Sequence, residues 1–396
     1  MRKRLGPVAL LALMSLLAAA CGRDTTGGGG GEAKPTYKIV FMGDLTGPNK
    51  SLCIGPKNTG QLLAEQGNKS GDLPVKIEYV PEDTQGDRDK AVPIAQKYVA
   101  DASVIAILGP CFSGESFSTG PHFEAAGIPR VSPSATNPGL AQLGWKYWFR
   151  TIANDDEQSG ITPDVFKKYV KSQKVFIGHD KTAYGEGLAT LVRDKSVAAG
   201  VNVVGFEAVD PGKEDYSALV TKVTGSEADT FYWGAYEKEA GLIVKQLREK
   251  GFKGTFVAAD GTKGSDFLAV GAASADGAVI TCPCVDPTTT DDPVAKKFVS
   301  DYRAKFNSEP TIYTSEANDA MLVIFEALKK AGTPTSDIKA YRDKVRDAIA
   351  KTKLKGITRV IEFQASGEMK VPPGIFLYKV EGGKYKLLGL AAELVK

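Results

Sequence analysis

The sequence predicts an α/β protein of two lobes, each a mostly parallel sheet flanked by helices. Three observations carry that expectation. Short β-branched and aromatic runs alternate with amphipathic helical stretches through most of the chain, the pattern of parallel sheets covered on both faces. Several of those runs end in Gly or Asp just before a loop, as strands do at the edge of an open α/β sheet where ligands bind. The 396 residues, 42% hydrophobic and 24% charged, suit about two ordinary globular domains.

In chain order, the strand-like runs are YKIVFMG, VKIEYV, SVIAILG, IPRVS, KVFIGHD, VNVVGFEAV, DTFYWGAY, GTFVAAD and GAVITCP. Helical periodicity falls between them at 59–68, 90–101, 186–199, 216–223 and 238–250, and in SFSTGPHFEAAG. Three helices without intervening strands follow, at 294–307, 315–330 and 337–351. The chain closes on RVIEF, IFLYKV and YKLL, separated by turn signals at Gly367 and at Gly382 with Gly383. Strands that follow helices at the very end imply a return to a sheet laid down earlier. The expected crossings between lobes are YWFRT, ITCPC and the stretch near Gly356, and three crossings make a hinge. Lobe 1 is then 37–150 with 284–355, and lobe 2 is 151–283 with 356–396.

The first 36 residues read as export machinery. Arg2, Lys3 and Arg4 precede an apolar run of about 16 residues, shorter than the roughly 20 a spanning helix needs. The stretch LLAAAC resembles a bacterial lipobox, which makes Cys21 the lipidated residue, with Leu17 one place further from it than is usual. Residues 1–21 are thus a lipoprotein signal with its lipid site, and the Gly-rich 22–36 a flexible tether with a reach of roughly 20 Å. This places the folded part outside the cytoplasm, anchored to the cell membrane. The formal charge of +3 falls to about 0 once Arg2, Lys3 and Arg4 leave. A near-balanced charge removes the main reason to expect a nucleic-acid partner.

Export also frames the cysteines. Cys53, Cys111, Cys282 and Cys284 would meet an oxidising compartment. The expected disulfide is Cys53 to Cys111, since both follow apolar strands in the first half. Cys282 and Cys284, separated only by Pro283, would close a small, strained ring if extended.

Catalytic chemistry finds little material. The loop after the first strand is GDLTGP, with neither a P-loop nor G-x-G-x-x-G. There is no G-x-S-x-G and no H-E-x-x-H, and the 2 His residues leave a metal site without ligands. Asp155 and Asp156 read as the cap of the next helix. No cofactor, metal or enzymatic activity is expected. What recurs instead is small hydroxyl residues in loops after strands, in GPCFSGES and SPSATNPG. Hydroxyls and free N–H groups beside a helix start suit a carboxylate or another anion. Tyr184, Tyr236 and Asp260 lie just beyond strands of the other half. Polar groups from both halves would converge on a cleft that takes a small polar molecule.

The segments FMGDLTGP, AILGPCFSGES, PRVSPSATNPGL, HDKTAYGEGLA and DTFYWGAYEKEAG resemble, in order and spacing, the branched-chain amino-acid binding proteins. These are receptors of ABC importers with the type I periplasmic-binding fold. The resemblance covers essentially the whole mature chain. It implies a monomeric receptor that passes an amino acid or related small polar molecule to a permease. A sensory lipoprotein of the same fold is the alternative. By the same resemblance, Ser113, Ser134 and Thr136 would hold the ligand carboxylate. Asp260 would meet its ammonium, with Tyr236 beside it and Tyr184 closing over the ligand. Leu52, Phe112 and Tyr313 would select the side chain, with Glu316 near the rim. Two departures stand out: Phe112 replaces a small hydroxyl residue common in the family, and Asp260 is one methylene shorter than the usual Glu.

Overall fold

Strand β1 (Thr36–Gly43) begins the folded chain in the computed structural model, which describes residues 34–372 and 374–396. The signal segment, Cys21 and nearly all of the tether lie outside the described residues. After β1 come α1 (Ser51–Ser70), β2 (Lys76–Asp83), α2 (Arg88–Val99) and β3 (Val104–Leu108). Helix α3 (Ser113–Ala126), β4 (Arg130–Ser132) and β5 (Trp148–Arg150) complete the first sheet. Its order is β2-β1-β3-β4-β5 and every pairing is parallel. The central strand β3, VIAIL, is buried along its whole length, as a strand covered on both faces must be.

The second sheet is built from α4 (Asp155–Asp164), β6 (Val175–His179), α5 (Gly185–Ala198), β7 (Val203–Ala208) and α6 (Ser217–Gly225). It continues through β8 (Thr230–Trp233), α7 (Glu237–Glu249), β9 (Thr255–Ala258), α8 (Ser265–Gly271) and β10 (Val279–Cys282). Helix α7 shows how pattern becomes packing. Ala240, Ile243, Val244 and Leu247 recur at helical spacing on its buried face, with Glu237 and Glu239 at its positive end.

Helices α9 (Pro293–Phe306), α10 (Thr314–Ala331) and α11 (Ile338–Ala350) return to the first half, where α10 packs on α1, β3 and β4. The ribbon β11 (Lys353–Lys355) and β12 (Val360–Glu362) stands apart from both large sheets. β13 (Phe376–Glu381) and β14 (Lys384–Leu390), followed by α12 (Ala391–Leu394), extend the second sheet to the order β14-β13-β10-β9-β8-β6-β7. The pairings β10–β13 and β13–β14 are antiparallel. No helix among the described residues is long and apolar enough to cross a membrane.

Four expectations are corrected. The helix expected at 59–68 is α1, which starts at Ser51, because Pro56 is accommodated inside it. Pro56 forfeits one hydrogen bond to the preceding turn without ending the helix. RVIEF does not rejoin an earlier sheet; β12 pairs only with β11. Residues 357–369 are tied instead to the first half: Ile357 N and Thr358 N donate to Asp319 at 2.7 and 2.9 Å, and Phe363 meets Phe149 edge-on at 5.2 Å. Asn154, not an aspartate, caps α4, its Oδ1 accepting from Asp156 N at 3.0 Å.

The last correction concerns the cysteines. Cys282 and Cys284 are joined, and Cys53 and Cys111 are free, buried thiols. The chain leaves β10 at Cys282 and turns at Pro283, which brings the two Cα atoms to 5.1 Å. That separation falls well within the bridging range, whereas an extended C-P-C would sit at its upper edge. The Cys53 and Cys111 thiols are hydrogen-bond neighbours in the core, and burial holds the Cys53 pKa well up in the protonated range.

Candidate functional site

The loops after β3, β4, β6, β8 and β9 meet at one site. A cleft cavity there is bordered by Phe112, Ser113 and Ser134 from the first half and by Tyr184, Tyr236, Asp260 and Gly261 from the second. Tyr313, just before α10, closes it. Three of the sequence-derived candidates are not on its wall. Leu52 is packed in the core, and Thr136 is buried one layer behind. Glu316 is likewise buried, its Oε1 accepting from Val285 N at 2.8 Å rather than standing at a rim.

Each side chain is held by its own local structure. Glu115, fully buried in the first turn of α3, accepts from Phe112 N at 3.2 Å and from the Thr84 hydroxyl, fixing the loop that presents Ser113. Ser113 Oγ accepts from Asn137 N at 3.2 Å, and Ser134 Oγ donates to the Cys111 carbonyl at 2.8 Å. These two hydroxyls therefore stitch the β3–α3 loop to the loop after β4. Arg150 sits beneath that second loop, donating to the Ala135 and Asn137 carbonyls at 2.8 and 3.1 Å and pairing with Glu368.

Asp260 lies fully buried at the start of the turn after β9. Tyr184 Oη donates to its Oδ1 at 2.8 Å, and Tyr313 Oη donates to its Oδ2 at 2.6 Å. Tyr313 makes this bond from a left-handed backbone, φ +63°, which is uncommon for a bulky residue and is sustained only by its surroundings. Gly261 donates to Tyr184 Oη at 3.0 Å. A Cβ on it would stand 2.7 Å from the Tyr184 ring, so the approach requires glycine. Tyr236 completes an aromatic stack, 5.1 Å from Tyr184 and 5.0 Å, edge-on, from Phe112.

The residue missed at the sequence level is Asp155. It is fully buried at the first position of α4, while its neighbours Asp156 and Glu157 face solvent. Neither of its carboxylate oxygens has a hydrogen-bond partner among the described residues. Burial pushes its pKa well above the ordinary carboxylate range and the nearby Asp260 pushes it further the same way, opposed in part by the adjacent Thr136 hydroxyl and the Arg150 guanidinium. Asp260 is also raised by burial, opposed by its two tyrosine hydrogen bonds. Thr136 Oγ1, Gln158 Oε1 and Tyr232 Oη are buried and unpartnered as well. Such groups are scarce in folded proteins. The only sequence signal for Asp155 is the NDDE start of α4, which serves a helix cap equally well.

The cavity at this site is about 10 Å³, the room of about one water-sized sphere. A molecule larger than water can therefore enter only if the surrounding walls separate.

Residues 36–384 match the periplasmic binding protein family. A Pseudomonas aeruginosa protein named for binding leucine, isoleucine, valine, threonine and alanine is 30% identical over 339 residues, which is 85% of this chain and 88% of that protein. The leucine-specific-binding protein of Salmonella typhimurium is 29% identical, covering 75% of this chain and 84% of its own. Among solved structures, a leucine binding protein from Thermotoga maritima superposes with a TM-score of 0.81 at 25% identity, over 89% of this chain and 98% of that one. A branched-chain amino acid transporter substrate binding protein from Streptococcus pneumoniae, in complex with isoleucine, gives 0.79 at 26%, over 89% and 99%.

Proposed function

The chain belongs to the periplasmic binding protein family, and on that footing we propose that it is the extracytoplasmic receptor of an ABC importer for an aliphatic α-amino acid. It binds and releases its solute without chemical turnover. The observation that carries the ligand class is the pair of buried carboxylates, Asp155 and Asp260, with neither Asp155 oxygen in a well-formed hydrogen bond among the described residues and only the Thr136 hydroxyl and the Arg150 guanidinium near enough to favour its ionised form. A buried unpaired carboxylate costs several kcal/mol as an ion, and an ammonium group placed against it removes that cost. The ligand carboxylate then falls to the hydroxyl end of the cleft, at Ser113 and Ser134. Phe112 and Tyr313 face its side chain.

Closure follows from the same geometry. The cleft is too small to admit an amino acid as it stands, so binding requires an open form, and contacts to both halves favour the closed one. The moving bodies are lobe 1, drawn from 37–150 and 284–355, and lobe 2, drawn from 151–283 and the C-terminal strands. Because 357–369 stay with the first half, the third crossing falls between Met369 and Phe376. Cys21 carries the lipid that holds the receptor at the membrane, and the receptor acts as a monomer.

The test is a thermal-shift panel on refolded protein with leucine, 4-methylpentanoate and 3-methylbutylamine. These share a side chain and differ in the charged ends. Leucine at a hundredfold excess over Kd should stabilise by about 2.7 kcal/mol, with neither single-ended analogue approaching it. A shift from 4-methylpentanoate equal to that from leucine would remove the ammonium from the reading.

A further inference from the structure

A cavity of about 310 Å³ lies apart from the Asp260 cleft and shares no wall residue with it. Its walls come from both halves of the fold: Ser51 and Ile312 on one side, Lys263, Leu268 and Tyr385 on the other. That volume is at the lower end of the range for small-molecule pockets.

Lys263 is the feature that needs explaining. Its Nζ stands 4.2 Å from the ring centre of Tyr378 and 5.4 Å from that of Tyr385, and it makes neither an ion pair nor a hydrogen bond among the described residues. Both rings are fixed in place. Tyr378 Oη donates to the Cys284 carbonyl at 3.1 Å, and Tyr385 Oη donates to the Thr262 and Gly264 carbonyls at 3.0 and 2.7 Å. The ring faces offset part of the ammonium's charge but accept none of its three N–H bonds. Desolvation by burial lowers the Lys263 pKa. Lys384, exposed at the β13–β14 hairpin, lines the same cavity and is also without an ion pair.

Two acidic groups lie near. Asp286 lines the cavity, with its Oδ1 occupied by Thr288 N at 2.9 Å and Thr288 Oγ1 at 2.6 Å. The buried Glu316 carboxyl is pushed up to about 8, so near neutral pH it is mostly protonated, and Asp286 is the acidic group whose charge acts most on Lys263. The remaining wall is largely apolar, with Leu268, Ile312 and the Tyr385 ring.

We propose that this cavity is a second binding site, for a small monocarboxylate with a hydrocarbon body. Its carboxylate accepts from Lys263 Nζ with Lys384 alongside, and its chain lies against Leu268, Ile312 and Tyr385. The site does not depend on the reading of the Asp260 cleft.

The test titrates full-length protein with hexanoate and with hexanamide, its neutral counterpart, by calorimetry and ligand-observed NMR. Hexanoate should bind at least about tenfold more tightly than hexanamide, the difference of one charge-assisted bond. Lys263→Met should bring hexanoate down to the hexanamide level. Lys384→Met, at an exposed hairpin that tolerates it, should weaken hexanoate by about threefold, and Asp155→Asn should leave it unchanged. Equal affinity for the two compounds, or no hexanoate binding, would overturn the proposal. Loss on Asp155→Asn with retention in Lys263→Met would overturn it too, by placing hexanoate in the cleft.

Discussion

Replacing Asp155 with Asn changes the charge of the side chain and hardly its shape, so the substitution separates what the carboxylate does for the ligand from what it does for the fold. In the ligand-free protein the carboxylate is a liability. It is fully buried, both oxygens lack partners, and its pKa is held well above 3.8 by burial first and Asp260 second. A raised acid pKa means that the folded state binds the proton more tightly than the unfolded one. This contribution to stability is complete below the unfolded value and is lost as pH rises through the folded one. Because the raised pKa makes the ionised side chain a cost that the amide does not carry, Asp155→Asn should stabilise the ligand-free protein at pH 7.5. In the liganded protein the sign reverses. Losing a charge-assisted bond of about 1.5–3 kcal/mol weakens the amino acid about 10- to 150-fold. Wild-type binding should also release protons near neutral pH, because the ammonium favours the ionised carboxylates. Calorimetry in two buffers of different ionisation enthalpy, with differential scanning fluorimetry of the same samples, reads all three effects. An affinity within twofold of wild type would refute the assigned role, and a lower Tm would refute the claim that the buried carboxylate is unpaid for by the fold.

Arg150→Met strands Glu368 and releases the loop carrying Ser134 and Thr136. It should cost about 3–5 kcal/mol and, at about 2–4 °C per kcal/mol, lower Tm by roughly 6–20 °C; an unchanged melting curve would mean the pair is dispensable. The carboxyl of Glu115 is pushed up to about 7 by burial, so wild-type stability should fall as pH rises from about 4.5 through 7. Glu115→Gln should flatten that slope by roughly 3 kcal/mol over the interval, measured by urea titration at each pH. Alkylation of unreduced, denatured protein should label Cys53 and Cys111 and spare Cys282 and Cys284, while native protein should be labelled at none of the four. Mass mapping that finds Cys53 and Cys111 protected after denaturation would reverse the disulfide assignment.

Much of the fold is legible because the pattern of this chain is local. Each of the first nine strand-like runs is a strand in the structure, since β-branched runs such as VIAIL have no helical alternative that buries them as well. The errors fall where tertiary contacts decide. The helix read at 59–68 is the middle of a 20-residue helix that begins at Ser51 and holds Pro56 inside it. RVIEF reads as a sheet strand and pairs in a separate ribbon, because the segment around it is drawn to Asp319 and Phe149. The C-P-C bridge depends on one turn at Pro283 that no periodicity announces.

The site divides along the same line, and Asp155 shows why. An acidic residue in the first turn of a helix is favoured whatever it faces, since it sits at the positive end of the helix dipole. Asp155, Asp156 and Glu157 all meet that condition, and by sequence they are equivalent. Helix α4 turns by about 100° per residue, so of the three only Asp155 is carried into the interior, beside Asp260 and beneath Arg150. A carboxylate serving only the dipole would gain from solvent on its other side, as Asp156 and Glu157 do. Asp155 gives that up, and among the described residues neither of its oxygens is in a well-formed hydrogen bond. Tyr184 and Tyr313 meanwhile occupy both oxygens of Asp260. The two carboxylates are therefore not redundant: Asp260 gathers tyrosines from both halves, and in the function proposed above Asp155 is the group whose proton an arriving ammonium displaces.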